Sequence, residues 1–278
     1  MVMVKFCGIT SPFEAQTAAK LGVHAVGLVF AESRRKVTLD KAREITNVLP
    51  PFISVGGVFV NEPIEEILAI AAYSKLDFIQ LHGEESKAYL LELKRQLSSD
   101  NFNNYQEPQF SFKPTAKPLT WHEKTAAHQI KNRNFIKDIK IIKAFQVTNA
   151  SSSAKEYSRV LISSGFDVCD AFLLDAYDKN HYGGTGKIIN WELFNAINHG
   201  YQQNAKRAKP IILAGGLTPA NIYSALSATR PWGIDVSSGI EANGVVAQEK
   251  SKRGSRKDLS KMRAFMKNIW RWRIDEDN

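Results

Sequence analysis

The sequence predicts an α/β fold, a single (β/α)8 TIM barrel that spans residues 1–278. Short apolar runs alternate with amphipathic stretches eight times along the chain, which is typical of successive β–α units. The order of these units shows no reversal that would favour a doubly wound open sheet. A length of 278 residues with 44% hydrophobic content fits one barrel domain.

The first four β–α units occupy the chain up to residue 97. Apolar runs predict strands over residues 4–9, 25–30, 52–60 and 77–81. The stretches between and after them predict helices over 12–21 and 38–49, one that starts near residue 63, and one over 86–97. Helix-start chemistry supports these assignments, since Ser11 precedes Pro12. Gly56 interrupts the third apolar run, and we expect a bulge there.

The next segment, residues 98–138, is predicted to be an insertion between helix 4 and strand 5. It is rich in Asn, Gln, Lys and Pro, lacks periodicity, and is too long for an ordinary connection. Its aromatic residues leave a nucleic-acid or partner surface open, but their irregular spacing forms no stacking platform. We expect a surface excursion on the face of the barrel opposite the site.

The alternation resumes after the insertion. Strands are predicted over residues 140–145, 171–176, 210–217 and 233–241, and helices over 151–163, 191–197, from 219, and over 258–270. A second, basic insertion over residues 245–256 follows strand 8. It could cover a phosphate or attract an anionic substrate, but a solvated charge run is the simpler expectation.

Composition limits the function classes. The net charge is +9. The segment from Lys250 to Arg273 contains ten Lys and Arg residues and one acidic residue, Asp258. The charge leaves nucleic acid, an anionic substrate or a merely basic surface open. We expect a cytoplasmic protein, because no secretory segment or bilayer-length apolar run is apparent and the two cysteines are expected to be free thiols.

Two residues at strand ends are candidates for proton transfer. Cys7 ends the first strand, where barrels place ligands, although a lone strand cysteine is also a common buried hydrophobe. Asp175 ends an apolar strand, and desolvation would raise its pKa toward that of a useful general acid. A helix cap or an ion pair with Lys143 or Lys187 is the alternative for Asp175. The two side chains would face each other across the barrel mouth.

Small residues after strands 7 and 8 predict a phosphate site. Gly215 and Gly216 follow strand 7, and Ser238 and Gly239 follow strand 8, where backbone N–H groups can surround an anion. The GGTGK loop is not a P-loop, because that motif requires glycine where this chain has His181. The histidines lack metal-ligand spacing, so no metal is expected.

Eight segments together resemble the phosphoribosylanthranilate isomerase family of tryptophan biosynthesis. The segments are VKFCGIT, VGLVF with SRRKVT, VFVNEP, FIQLHGEE, IIKAF, LLDAY with YGGTGK, ILAGGLTPANI and GIDVSSGIE. The resemblance implies an isomerase that carries out an Amadori rearrangement of N-(5-phosphoribosyl)anthranilate to 1-(2-carboxyphenylamino)-1-deoxyribulose 5-phosphate. It implies no metal or organic cofactor, and a phosphorylated small-molecule substrate.

The resemblance also implies residue roles. Cys7 would be the general base, which requires a thiolate and hence a lowered pKa. Asp175 would be the general acid and Arg35 would bind the anthranilate carboxylate, with Arg34 as the alternative one position away. The phosphate ligands would be Gly215, Gly216, Ser238 and Gly239, supported by Asp235, and His82 is a weaker substrate-binding candidate.

Two other functions stay open. A barrel that serves as a nucleic-acid-associated or scaffold protein would account for the basic charge, but it would not explain the site residues. A related phosphosugar isomerase of histidine biosynthesis would be expected to use paired Asp residues, and Cys7 argues against it. No membrane contact is expected, nucleic acid is the less favoured partner, and the chain is expected to be a monomer or a homodimer.

Overall fold

A computed structural model describes residues 1–98, 139–148, 154–163, 165–176, 189–242 and 256–277. Within these residues, eight parallel strands form a closed barrel in chain order. The strands are β1 (Met3–Cys7), β2 (Ala25–Val29), β3 (Ser54–Phe59), β4 (Phe78–Leu81), β5 (Lys140–Val147), β6 (Ala171–Ala176), β7 (Ile211–Leu213) and β8 (Gly233–Val236). The predicted (β/α)8 barrel is confirmed.

Helices alternate with the strands in the part of the chain that the structure describes. They are α1 (Pro12–Lys20), α2 (Leu39–Asn47), α3 (Ile64–Ser74), α4 (Lys87–Ser98), α5 (Ala154–Ile162), α6 (Trp191–Asn204), α7 (Ile222–Thr229) and α8 (Leu259–Asp277). A short 3-10 helix, Ser238–Ile240, follows β8. Among these helices, none has the length and apolar character needed to cross a membrane.

The two predicted insertions and the GGTGK loop fall almost entirely outside the described residues. Ser98 ends α4, and the described chain resumes at residue 139. Residues 177–188, which include the GGTGK loop, and residues 243–255 of the basic segment are likewise outside it. The single-domain assignment over residues 1–278 therefore stays a prediction.

Strand register decides which side chains enter the barrel. β1 pairs with β2 on one side and with β8 on the other, so that Lys5 lies between Ala25 and Asp235. Successive side chains of a strand point to opposite faces. Phe6 points outward and makes an edge-to-face contact with Phe265 of α8, with ring centroids 5.9 Å apart. Lys5 and Cys7 point inward.

The barrel interior has an apolar layer and a polar layer. Ala144, Leu173 and Ile212 belong to one buried apolar cluster inside the barrel, and Cys7 packs with Val29 and Val58 in another. Beside these side chains lie the buried polar groups of Lys5, Gln80 and Asp235, which hydrogen-bond one another and form the polar layer. This polar layer supports the site described below.

The bulge expected at Gly56 is absent. Gly56 pairs in register with Gly27 of β2 and with Phe78 of β4. A Cβ atom at Gly56 would lie 2.0 Å from the Phe78 ring. The expectation was wrong because this glycine makes room for an aromatic ring inside the barrel and does not interrupt the strand.

Candidate active site

Cys7 ends β1 at the carboxyl side of the barrel, with its side chain 8% exposed. The strand stops there because Gly8 adopts a φ of +72°, which favours glycine. Gly27, the partner of Cys7 on β2, leaves space for it: a Cβ atom at Gly27 would lie 2.9 Å from Cys7 Sγ and 3.0 Å from Lys5 Nζ. The thiol and the ammonium group thus share a space kept open by a missing side chain.

Lys5 is the cation beside the thiol. Its ammonium group donates to Gln80 Oε1 at 2.8 Å and to Asp235 Oδ2 at 2.9 Å, and it lies beside the Cys7 thiol in the space at Gly27. Burial lowers the pKa of Lys5, but Asp235 and Cys7 raise it by more, so the net shift is upward. Lys5 therefore stays charged inside the barrel.

The groups around Cys7 shift the pKa of its thiol in opposite directions. Burial raises the pKa of the Cys7 thiol and the Asp235 carboxylate raises it further, whereas Lys5 and Lys257 lower it. The net shift is upward. The expected lowering of the Cys7 pKa is therefore wrong, because desolvation and a nearby carboxylate outweigh two cations.

Asp175 lies on β6 and is 6% exposed. Its Oδ1 atom accepts a hydrogen bond from the N–H of Ala176 at 2.8 Å, and its Oδ2 atom lies 3.3 Å from His82 Nε2. The alternative ion pair with Lys143 does not form, because Lys143 Nζ contacts Glu85 Oε2 at 2.8 Å. Lys187 is outside the described residues. Asp175 and Cys7 both project from carboxyl ends of barrel strands, as predicted.

His82 follows β4 and connects Asp175 to the polar layer. Its Nδ1 atom lies 3.3 Å from Gln80 Nε2, and Gln80 in turn accepts from Lys5. The His82 Nε2 atom is buried and, within the described residues, has no partner in hydrogen-bond geometry. Side chains therefore link the β1 thiol to the β6 carboxyl across the barrel interior.

Arg35 reaches the same mouth from the loop after β2 and is 7% exposed. Its Cδ atom passes over Gly8, where a Cβ atom would lie 2.5 Å away. Its Nε and Nη2 atoms donate to Glu241 at 2.6 and 3.2 Å. This side-on pair leaves the Nη1 edge of the guanidinium for a second carboxylate. Arg34, the alternative candidate, also binds Glu241, but from a more exposed position.

Glu241 gathers three cations at the mouth. Lys257 Nζ lies 3.4 Å from its Oε1 atom, in addition to the two arginines. Burial raises the pKa of Glu241, but Lys257, Arg35 and Arg34 lower it by more. Burial also lowers the pKa of Lys257, partly offset by Glu241. With one carboxylate among three cations, the cluster keeps an excess of positive charge.

Glu14 fixes the backbone that carries Lys257. Its buried carboxylate accepts from the N–H groups of Arg256 and Lys257 and from the N–H and hydroxyl of Thr10. Glu241 and Lys257 form an antiparallel bridge. The loop after β1 and the two chain segments that flank residues 243–255 are thereby joined at one point.

The predicted phosphate loops lie side by side after β7 and β8. Gly215 and Gly216 adopt φ values of +91° and +64°. A Cβ atom at Gly239 would lie 1.8 Å from Leu217 O, so only glycine permits this approach of the two loops. Ser238 and Gly239 begin the 3-10 helix, and the first N–H groups of a helix have no acceptor within it. The geometry offers backbone donors to an anion.

Asp235 differs from its predicted position beside the phosphate. It lies within β8, one layer inside the barrel, and binds Lys5. Its Oδ1 atom is buried without a hydrogen-bond partner among the described residues. The structure thus places Asp235 with the thiol and the ammonium group.

Sequence reasoning missed several polar residues of the site, namely Lys5, Gln80, Glu14, Glu241 and Lys257. Only Lys5 carried a local signal, because it lies two positions before Cys7 and strand alternation turns both inward. Within the described residues, no group of three or more His, Cys, Asp or Glu side chains could hold a metal ion.

The fold and the site together define a class of protein: a (β/α)8 barrel whose mouth carries a thiol, a carboxyl group and glycine-containing loops after β7 and β8. Comparison with known proteins narrows the class. Residues 4–115 and 126–268 match the family described as N-(5'phosphoribosyl)anthranilate (PRA) isomerase. This chain belongs to that family. The gap between the two matched stretches, residues 116–125, falls within the first predicted insertion.

Individual relatives agree with this assignment. An N-(5'-phosphoribosyl)anthranilate isomerase of Desulforudis audaxviator is 34% identical over 267 residues, covering 96% of this chain and 97% of its own. The crystal structure of the Thermotoga maritima enzyme superimposes with a TM-score of 0.64 at 31% identity, covering 96% and 98% of the two chains. A structure in complex with reduced 1-(o-carboxyphenylamino)-1-deoxyribulose 5-phosphate has a TM-score of 0.62 at 30% identity and the same coverage.

Proposed function

We propose that this chain is the phosphoribosylanthranilate isomerase of tryptophan biosynthesis and converts N-(5-phosphoribosyl)anthranilate to 1-(2-carboxyphenylamino)-1-deoxyribulose 5-phosphate. The observation that carries the proposal is the placement of Cys7 and Asp175 at the carboxyl ends of β1 and β6, beside the phosphate loops of β7 and β8. Family membership and the bound ligand of a solved relative support it.

The first step opens the sugar ring. Asp175 donates its proton to the ring oxygen while the nitrogen lone pair forms a C1=N bond and the C1–O bond breaks. The products are an iminium cation and a hydroxyl group, and Asp175 is left as a carboxylate. Asp175 suits this role because its carboxyl group projects into the barrel mouth from the carboxyl end of β6.

The second step removes the C2 proton. As the substrate cation forms, the Cys7 thiol releases its own proton to solvent. The thiolate then takes the C2 proton, the C–H electron pair forms the C1=C2 bond, and the iminium nitrogen accepts the displaced pair. The resulting enolamine tautomerises to the ketone. Each assisted proton transfer contributes about 10² to 10⁴ in rate. The cation on the substrate nitrogen also stabilises the thiolate beside it, which offsets the upward pKa shift of the unliganded thiol.

Substrate charge fits the mouth of the barrel. The Nη1 edge of Arg35 is available for the anthranilate carboxylate, since Glu241 holds the opposite side of the guanidinium. The backbone N–H groups of Gly216, Ser238 and Gly239 would bind the phosphate, and Gly215 shapes the turn. Lys257 adds positive charge between the two.

Turnover of the proposed substrate tests the function. The purified chain under reducing conditions is expected to consume N-(5-phosphoribosyl)anthranilate, followed by the loss of its anthranilate-type fluorescence. Cys7→Ser and Asp175→Asn are each expected to lower kcat by about 10² to 10⁴. Cys169→Ser is the matched control, because that buried thiol lies outside the site. An inactive wild type, or full activity in both site variants, would contradict the proposal.

We propose that the chain forms a homodimer, the second of the two states that the sequence allows. A Thermotoga maritima relative with 29% identity is described as a dimeric enzyme. Sedimentation is expected to give twice the 31.1 kDa chain mass. A species of 31.1 kDa at micromolar concentration would show a monomer.

We also propose a cytoplasmic location. Cys7 and Cys169 are free thiols, and the proposed base must stay reduced to act. Fractionation of the source cells, with activity measured in each fraction, tests this proposal.

A further inference from the structure

The side chains that link β1 to β6 have donor and acceptor directions that chemistry fixes. Lys5 Nζ lies 2.8 Å from Gln80 Oε1, Gln80 Nε2 lies 3.3 Å from His82 Nδ1, and His82 Nε2 lies 3.3 Å from Asp175 Oδ2. All four residues are at least nine-tenths buried. Water therefore has little part in choosing the direction of these contacts.

The direction begins at Lys5. An ammonium group only donates hydrogen bonds, so the atom of Gln80 that faces it must be the carbonyl oxygen. The amide nitrogen of Gln80 then faces His82 Nδ1. Because an amide nitrogen also only donates, Nδ1 must be the acceptor and carries no proton.

A neutral imidazole with a bare Nδ1 carries its proton on Nε2, the atom that faces Asp175. We propose that Gln80 is a positioning residue that holds His82 as the neutral Nε2–H tautomer, so that an uncharged donor faces the acid Asp175. The catalytic meaning of this inference rests on the proposed function. The tautomer itself does not.

The contact with Gln80 is also incompatible with a proton on His82 Nδ1. The imidazolium has a proton on Nδ1, which would meet the amide nitrogen of Gln80 donor to donor. Rotating the Gln80 amide would not remove this conflict. Its NH2 group would then face the ammonium group of Lys5, which stays charged because it pairs with Asp235. Asp175, on the other side of the ring, favours the imidazolium. The Lys143–Glu85 pair beyond β4 is satisfied within itself and with Gly83 O.

A neutral His82 suits an acid catalyst. A cation at 3.3 Å would stabilise the Asp175 carboxylate and make the carboxyl group a poor proton store between turnovers. A neutral N–H group exerts a weaker effect and can still bind the carboxylate that ring opening leaves. The contact between His82 Nε2 and Asp175 Oδ2 is not aligned as a hydrogen bond, and catalytic hydrogen bonds commonly tighten in the complex with substrate.

Nitrogen-15 NMR of the histidine rings in the full chain tests the inference. The His82 resonances, assigned with His82→Gln, are expected to show the neutral Nε2–H tautomer at pH 7. His24 is an internal reference for this tautomer, because its Nδ1 atom accepts from the N–H of Val4 at 3.0 Å. His199, which is exposed, reports on a solvated ring.

Gln80→Glu is the matched variant. Its carboxylate can accept from Lys5 and from His82 Nδ1–H at once, so the His82 proton is expected on Nδ1, or on both nitrogens at pH 6. We expect kcat to fall about tenfold with KM within about twofold, because the substrate-binding groups remain.

A wild-type Nδ1–H tautomer or imidazolium at pH 7, or a folded Gln80→Glu with unchanged ring resonances, would overturn the inference. If this variant does not fold, the wild-type spectrum alone decides. A neutral Nε2–H ring in a chain without isomerase activity would contradict the proposed function and leave the tautomer assignment standing.

Discussion

At the scale of single residues, Cys7 shows how one position combines opposing charges. Burial and Asp235 raise its pKa, and Lys5 and Lys257 lower it. A base needs a thiolate during the reaction, yet a permanently charged thiolate would be costly to bury and open to oxidation. The raised pKa favours a protonated thiol at rest, and in the proposed mechanism its deprotonation follows the charge that develops on the substrate.

We therefore predict that the Cys7 thiol loses its proton only at high pH. The thiolate absorbance near 240 nm, taken as wild type minus Cys7→Ser, is expected to appear only above about pH 8.5, the ordinary pKa of a cysteine. Lys5→Met should move the titration to higher pH, because it removes a cation that stabilises the thiolate.

Lys5→Arg is the control for this experiment, since it keeps the charge and should move the titration less. The Cys169 thiol does not interfere, because burial raises its pKa to about 12 and the difference spectrum cancels it. A thiolate signal already complete at pH 7 would contradict the charge balance described for Cys7.

At the scale of strands and loops, the site depends on what the barrel leaves empty. Gly27 lies on β2 beside Cys7 in register. Its missing side chain provides the space into which both the thiol and the Lys5 ammonium project. Strand β2 packs against helices with its outer face, and with its inner face it shapes the space around Cys7.

Gly27→Ala is predicted to reduce activity with little effect on folding. The new methyl group would lie 2.9 Å from Cys7 Sγ and must displace the thiol or Lys5. A displacement of about 1 Å at a reacting group can cost about 10²-fold in rate, and we expect kcat/KM to fall by that order. Steady-state kinetics with circular dichroism separates the two effects.

Gly233→Ala on β8 is the matched control, because its nearest neighbour is Met3 Cβ at 3.3 Å and no proposed catalytic group is adjacent. Its kcat/KM should stay within about threefold of wild type. Equal losses in the two variants would show that alanine disturbs the barrel in general.

Glu14 makes a second prediction at this scale. From the described residues, its buried carboxylate accepts four hydrogen bonds, which join the loop after β1 to the segment before α8. Glu14→Gln removes the charge and one acceptor, so two backbone donors compete or go unpaired. The free energy of unfolding in urea is expected to fall by about 2–3 kcal/mol. Glu65→Gln, at an exposed position in α3, should change it by less than about 0.5 kcal/mol.

The same contacts show what could be predicted from the sequence. Cys7 and Asp175 were identifiable because each ends an apolar run, and strand ends converge on one face of a barrel. The partners of these residues were not identifiable. Lys5 meets Asp235 only because β1 pairs with β8 across 230 positions, and Arg35 meets Glu241 across 206. Both contacts depend on how the closed barrel brings distant segments together, and that arrangement leaves no local pattern in the sequence.

At the scale of the whole molecule, charge is concentrated where the substrate would enter. The chain carries a net charge of +9. At the mouth, Arg34, Arg35 and Lys257 surround the one carboxylate of Glu241. The proposed substrate brings a carboxylate and a phosphate. A cationic mouth on a cationic protein attracts such an anion from solution and strengthens its binding once it has arrived.

Salt is accordingly predicted to weaken substrate capture. The Debye length falls from about 30 Å at 0.01 M to about 3 Å at 1 M ionic strength, so exposed charges are screened first. We expect kcat/KM to fall by about 3- to 10-fold between 0.01 and 0.5 M NaCl. We expect kcat to change by less than about twofold, because the buried proton-transfer groups are screened little.

Arg34→Gln should flatten this dependence, since its side chain is 58% exposed and contributes to the field at the mouth. Arg230→Gln is the matched control: this exposed arginine pairs with Glu276 of α8, outside the mouth, and its loss should leave the slope near that of wild type. A kcat/KM independent of salt, or equal slopes for Arg34→Gln and the wild type, would show that the charge at the mouth does not govern substrate capture.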